Sequence, residues 1–123
     1  MNNSREALHA DERRRIIAEF KTAVNMTSAQ LHKWLATEDS QRVGQKKGQE
    51  ESVGHRSGER IATLLDQDRK DFDDDDFAHM RKVVGFIHRH LAQGPTTHDP
   101  STSDWRYSLM NWGHDPEKHD KTD

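Results

Sequence analysis

The 123-residue chain is 30% apolar and 33% charged, with a mean hydropathy of -1.17 and a net charge of -3, which limits it to one small domain at the polar edge of the globular range. It has no cysteine, and this excludes disulfides, thiolate metal sites and a cysteine nucleophile. It also lacks an apolar run long enough for a signal peptide or a membrane span, so a soluble cytoplasmic protein without a membrane partner is expected.

Residues 1–9 read as a flexible N-terminus and 10–116 as a single helical domain. Ile16, Ile17, Phe20 and Val24 predict a first helix that ends at the Asn25 turn. "NMTSAQLHKWLAT" predicts a second. Thr27 and Gln30 match a capping box, Met26 and Leu31 a hydrophobic staple, and Leu31, Trp34 and Leu35 face one way. Residues 38–54, rich in Gly, Gln and charge, predict a mobile loop. "SGERIATLLDQD" predicts a third helix capped by Ser57, with Ile61, Leu64 and Leu65 on its apolar face.

The strongest signal is "DDDDFAHMRKVVGFIHRHLAQGP". Phe77, Met80, Val84, Ile87 and Leu91 step by three or four, aspartates crowd the start, and Gly94 and Pro95 supply the stop. Residues 95–103 read as a linker. In "WRYSLMNWGHDP", Trp105, Leu109 and Trp112 fall at i, i+4 and i+7 behind a Ser103 or Asp104 cap. This predicts a short amphipathic helix folded back as a lid on the central helix; the other reading is an aromatic anchor for a partner. Residues 117–123 read as a disordered tail. The expected fold is therefore all-α, a small single-domain bundle of four main helices with a C-terminal aromatic lid. Its expected core is Phe20, Leu31, Trp34, Leu35, Ile61, Leu64, Phe77, Met80, Val84, Ile87, Leu91, Trp105 and Leu109.

Three blocks carry a family likeness: "VNMTSAQLHKWLATEDS", "ESVGHRSGERIATLL", and "DFAHMRKVVGFIHRHLAQGP" followed by "WRYSLMNWGHDP". Together they resemble the small bacterial and fungal proteins of domain-of-unknown-function family 3140, over about Phe20 to Pro116. The resemblance implies a single domain. It also leans towards nucleic acid, because some members are labelled DNA-binding. It carries no mapped functional residues, and the "DERRR" start and "KHDKTD" end lie outside it.

Charge is unevenly spread. Residues 49–76 hold four basic against ten acidic side chains, whereas 77–94 hold three basic and none acidic. On the central helix Arg81, Gly85 and His88 align, with Lys82 and Arg89 beside them, opposite the apolar stripe. Such a face suits the phosphate backbone of DNA, and it equally suits plain solvation of an outer helix face. His32 and Lys33 on the second helix could extend the face, as could Arg56 and Arg60 at the start of the third. "HRSGER" reads either as a phosphate seat at a helix N-terminus or as an ordinary cap.

The histidines make no metal pattern. His88 and His90 are spaced i, i+2, His79 and His90 are three turns apart, and His114 with Asp115 lacks a third ligand. "DFDDDD" reads as helix N-terminal charge. The sequence contains neither a phosphate-binding glycine loop nor a nucleophile elbow. The expectation is a non-enzymatic DNA-binding or DNA-associated accessory protein without cofactor or metal. The alternative is a protein-interaction module that uses the acidic 49–76 segment and the aromatic motif.

Overall fold

The computed structural model describes residues 10–44, 53–96 and 98–118. Among them are six α-helices: α1 Ala10–Ala23, α2 Ser28–Leu35, α3 Glu38–Gly44, α4 Val53–Asp66, α5 Asp74–Gln93 and α6 Asp104–Asn111. Single 3-10 turns at Arg69–Asp71 and Pro100–Thr102 complete them, and the described residues contain no strand. The all-α, single-domain expectation holds. No helix among the described residues is long and apolar enough to cross a membrane.

The cap chemistry read from the sequence is present. Thr27 Oγ1 accepts from the Gln30 amide at 3.1 Å and Gln30 Oε1 accepts from the Thr27 amide at 3.0 Å, with Met26 and Leu31 both buried as the staple requires. Asp73 and Asp76 form the same reciprocal box at the start of α5. Gly94, at φ 73°, closes α5, its amide donating to the His90 carbonyl at 3.3 Å.

Two helix boundaries depart from expectation. The stretch expected as a loop from residue 38 begins with α3, and residues 45–52 lie outside the described residues, as do 1–9 and 119–123. Thr37 starts α3: its hydroxyl donates to the Trp34 carbonyl at 2.7 Å and accepts from the Ser40 amide at 3.1 Å. Among its residues of described burial the helix buries only Ser40 and Val43, too few apolar positions to show a period. The second departure is α4, which begins at Val53, so Ser57 is an interior residue and not a cap. Gly54, which read as loop, and Gly58, which read as the first turn of the helix, lie on the face pressed against α6. A Cβ on Gly58 would stand 2.5 Å from the Asn111 carbonyl oxygen and 2.7 Å from Leu35 Cδ2.

One core joins all of this: Ile16, Ile17 and Phe20 from α1, Leu31 and Leu35 from α2, Ile61 and Leu64 from α4, Phe77, Met80, Val83 and Ile87 from α5, and Leu109 and Trp112 at α6. Of the expected core, Trp34, Val84 and Trp105 are only partly buried, and Leu91 is 37% exposed. The reason is a second partner for α5. The end of α1, Thr22 and Ala23, lies level with Val84 and His88, so Leu91 projects one turn beyond it. Meanwhile Phe86 and His90 turn towards α6 and draw the buried sector round to Val83.

The aromatic segment is more than a lid. Ring planes within 21° of parallel run His79, Trp112, Phe86, His90, Trp105 along the α5–α6 seam, closest at Phe86–Trp112 with 4.3 Å between centroids. On its other side α6 carries Asn111, 1% exposed. Asn111 Oδ1 accepts from Trp34 Nε1 at 2.7 Å and Ser40 Oγ at 2.5 Å, and its Nδ2 donates to the Ser40 carbonyl at 2.9 Å.

Asn111→Ala strands those groups without partners, and should cost about 2–4 kcal/mol and lower the melting temperature by roughly 10 °C. Thermal unfolding measured by circular dichroism checks it. Two glycine substitutions should differ in sign. Gly58→Ala drives a methyl into backbone and should destabilise by about 1–3 kcal/mol despite alanine's helix propensity. Gly85→Ala meets only the movable Arg89 guanidinium, at 3.1 Å, and should stabilise by about 0.5–1 kcal/mol. Urea titrations of both variants decide the signs.

Candidate nucleic-acid interface

Helical geometry places Arg81, Lys82, Gly85, His88 and Arg89 on the side of α5 opposite Met80, Val83 and Ile87. The structure exposes Arg81, Lys82, His88 and Arg89, together with the small residues Ala78 and Ala92. Beyond Asp76 the helix carries no acidic side chain. Gly85 is not an open gap, because the Arg89 guanidinium lies back across it. Arg81 reaches α1, its Nη2 2.7 Å from Glu12 Oε2. His88 borders a shallow cavity of about 440 Å³ with Ala18, Glu19 and Thr22 of α1. The sequence offers no signal for the Glu12–Arg81 pair, since its partners are 69 residues apart.

The other expected contributors do not join this face as a set. Arg60 is held by Asp76 at 3.0 Å. Burial opposes the Asp76 charge, but the Asp73 amide, Arg60 and Gln67 outweigh it and hold the carboxyl below the usual range. Arg56 is exposed in the first turn of α4, but Ser57 is buried and it and Arg60 lie beyond that turn, so the phosphate seat expected at a helix N-terminus capped by Ser57 is not formed. Lys33 lines a separate groove with Trp34, Met110 and Lys118.

The Ser57 hydroxyl meets His79 Nε2 at 3.1 Å. Burial pushes the His79 ring down to about 4, and Arg60 and Lys82 add to the shift while Asp76 opposes it. At neutral pH His79 therefore adds no charge to the face. The other histidines weighed as ligands are committed elsewhere. His114 Nδ1 donates to the Ala23 carbonyl at 2.7 Å, and His90 stacks between Phe86 and Trp105. Asp115 accepts two bonds from Arg106, each 3.0 Å. Among the described residues no three His, Asp or Glu side chains converge as a metal site.

The His79 shift fixes a pH dependence. Its folded pKa lies below the unfolded value, so its contribution is fully present above pH 6.5 and is lost as pH falls from 6.5 through about 4. For a half-buried ring the loss should be about 2 kcal/mol after allowance for solvent. Urea unfolding at pH 7 and pH 4.5 should show His79→Gln losing less stability than the wild type by that amount. Equal losses would contradict the assignment.

No curated protein and no solved structure matches the chain. The family described as "Protein of unknown function (DUF3140)" matches residues 19–110. That span runs from within α1 to the last turn of α6 and contains the whole basic face of α5. The chain belongs to the DUF3140 family of proteins of unknown function.

Proposed function

We propose that this protein is a non-enzymatic, DNA-associated accessory protein, cytoplasmic in location, that rests the outer face of α5 on the phosphate backbone. The observation that carries the reading is the joint exposure of Arg81, Lys82, His88 and Arg89 on one helix face with no acidic side chain among them. Long, exposed cations of this kind make sequence-independent phosphate contacts and release counterions when they do so. The Glu12 pair does not withdraw Arg81, because an exposed ion pair contributes only about 0–1 kcal/mol and yields to a phosphate. Lys33, Arg56 and Arg60 are left out of the contact set. A protein-interaction reading would have to rest on the acidic segment, since Leu109 and Trp112 of the aromatic motif are buried.

Duplex affinity should fall steeply with salt, with a log–log slope of about -0.9 for each phosphate neutralised. The triple variant Arg81→Ala, Lys82→Ala, Arg89→Ala should bind more weakly and flatten that slope by roughly two to three units, while alanine preserves the helix. Lys33→Ala should leave the slope unchanged. Fluorescence anisotropy on unrelated duplexes at low ionic strength is the measurement. A folded protein that binds neither duplex nor single strands there would exclude the reading.

A further inference from the structure

A groove of about 490 Å³ runs between α2 and the segment after α6, and no residue of α5 lines it. One wall is made by Gln30, Lys33 and Trp34, spaced i, i+3 and i+4 and so on one side of α2, with Thr37 just beyond the end of that helix. The opposite wall comes from Met110 and from Asp115, Glu117 and Lys118. Met26, Trp34 and Met110 supply apolar surface. Trp34 is held in place, with its Nε1 bonded to Asn111 and its ring 5.2 Å from that of Tyr107. A fixed indole with two adaptable thioethers in the same lining fits a flat apolar body.

The two acids and two ammonium groups that line the groove cancel formally, and Arg106, which pairs with both acids, leaves one positive charge in excess. Both acids belong to Arg106: Asp115 through its two-pronged bond, Glu117 at 3.9 Å. Burial works against the Asp115 charge, yet Arg106 and the Glu117 amide hold its carboxyl below the usual range. The two ammonium groups have no such match. Lys118 Nζ donates to the Asn25 carbonyl at 2.8 Å and to Gln30 Oε1, both neutral acceptors, which leaves one of its three protons to spare. Among the described residues neither Lys33 nor Lys118 has a carboxylate partner. A part-buried cation held only by neutral oxygens beside an open cavity is matched by an anion.

We infer that this groove binds a small aromatic carboxylate, its ring against Trp34, Met26 and Met110 and its carboxylate between Lys33 and Lys118. The volume suits a metabolite-sized ligand. The site is independent of the DNA reading, since it shares no residue with α5.

The test compares 1-naphthoate with 1-naphthamide, which share a ring and differ in charge, on the full chain. Each is titrated while the indole N–H resonances of Trp34, Trp105 and Trp112 are followed. The carboxylate should bind about tenfold more tightly than the amide and move the Trp34 resonance most. Lys33→Met, at an exposed position that leaves the fold intact, should cut that preference by at least about threefold. Adding Lys118→Met should abolish it. Equal affinity for acid and amide, perturbation of Trp105 or Trp112 without Trp34, an unchanged preference in Lys33→Met, or no saturable binding into the millimolar range would each overturn the inference.

Discussion

The side-chain amide of Asn111 is the contact on which the rest of the arrangement depends. Apolar contacts hold a domain together without fixing how its helices slide, and this chain has few of them to spare. Asn111 supplies the direction they lack. Its oxygen takes protons from Trp34 on α2 and Ser40 on α3, its nitrogen reaches the Ser40 carbonyl, and its own carbonyl sits against the gap left by Gly58 on α4. In a buried setting each of these bonds is costly to leave unmade, so α2, α3 and α6 are held in one register, with α4 packed against them at Gly58. That register puts Leu109 and Trp112 into the core.

The segment that follows carries the same constraint to α1. Gly113, at φ 86°, is wedged where a Cβ would meet Val24 at 2.9 Å. Its carbonyl accepts from the Met26 amide at 3.2 Å. Asn25 and Asp115 then exchange bonds of 2.9 Å and 2.8 Å. The α1–α2 turn is thus clamped by residues 90 positions away, and the aromatic segment is the hub of the fold. Trp105 and Trp112 face α5 from one side of α6 while Asn111 faces α2 and α3 from another.

What was legible in the sequence is what depends on neighbours along the chain. The capping box at Thr27, the Gly94 stop and the exposed face of α5 follow from local spacing, and each is present, whereas the box at Asp73 was hidden in a run of aspartates. What was hidden depends on distant partners. Helix α3 has almost no apolar period because its buried serine is matched to Asn111. Gly54 of α4 looked like a loop residue because its purpose, close approach to α6, is invisible locally. Leu91 fits the stripe of α5 and stays exposed because α1 ends below it. At the basic face the same division applies. Which cations point outward was readable, but that Glu12 takes Arg81 and Asp76 takes Arg60 was not. The groove was not legible at all: Gln30 read as part of a cap and Lys33 as part of the basic face, and the wall opposite them is folded back from residue 115 onward.

The two positive surfaces differ in kind, and their surroundings explain how. On α5 the cations are long and exposed, in water of high dielectric, where each contributes little alone and their sum acts over a Debye length. That is the physics of contact with a repeating polyanion. In the groove the cations are two, one of them held by Asn25 and Gln30, beside a tryptophan that Asn111 keeps from turning. Fixed charge next to fixed ring favours one small, shaped ligand. Because Asn111 holds Trp34 and α6 alike, the rigidity of the groove and the packing of α5 on its aromatic ladder both derive from one buried amide.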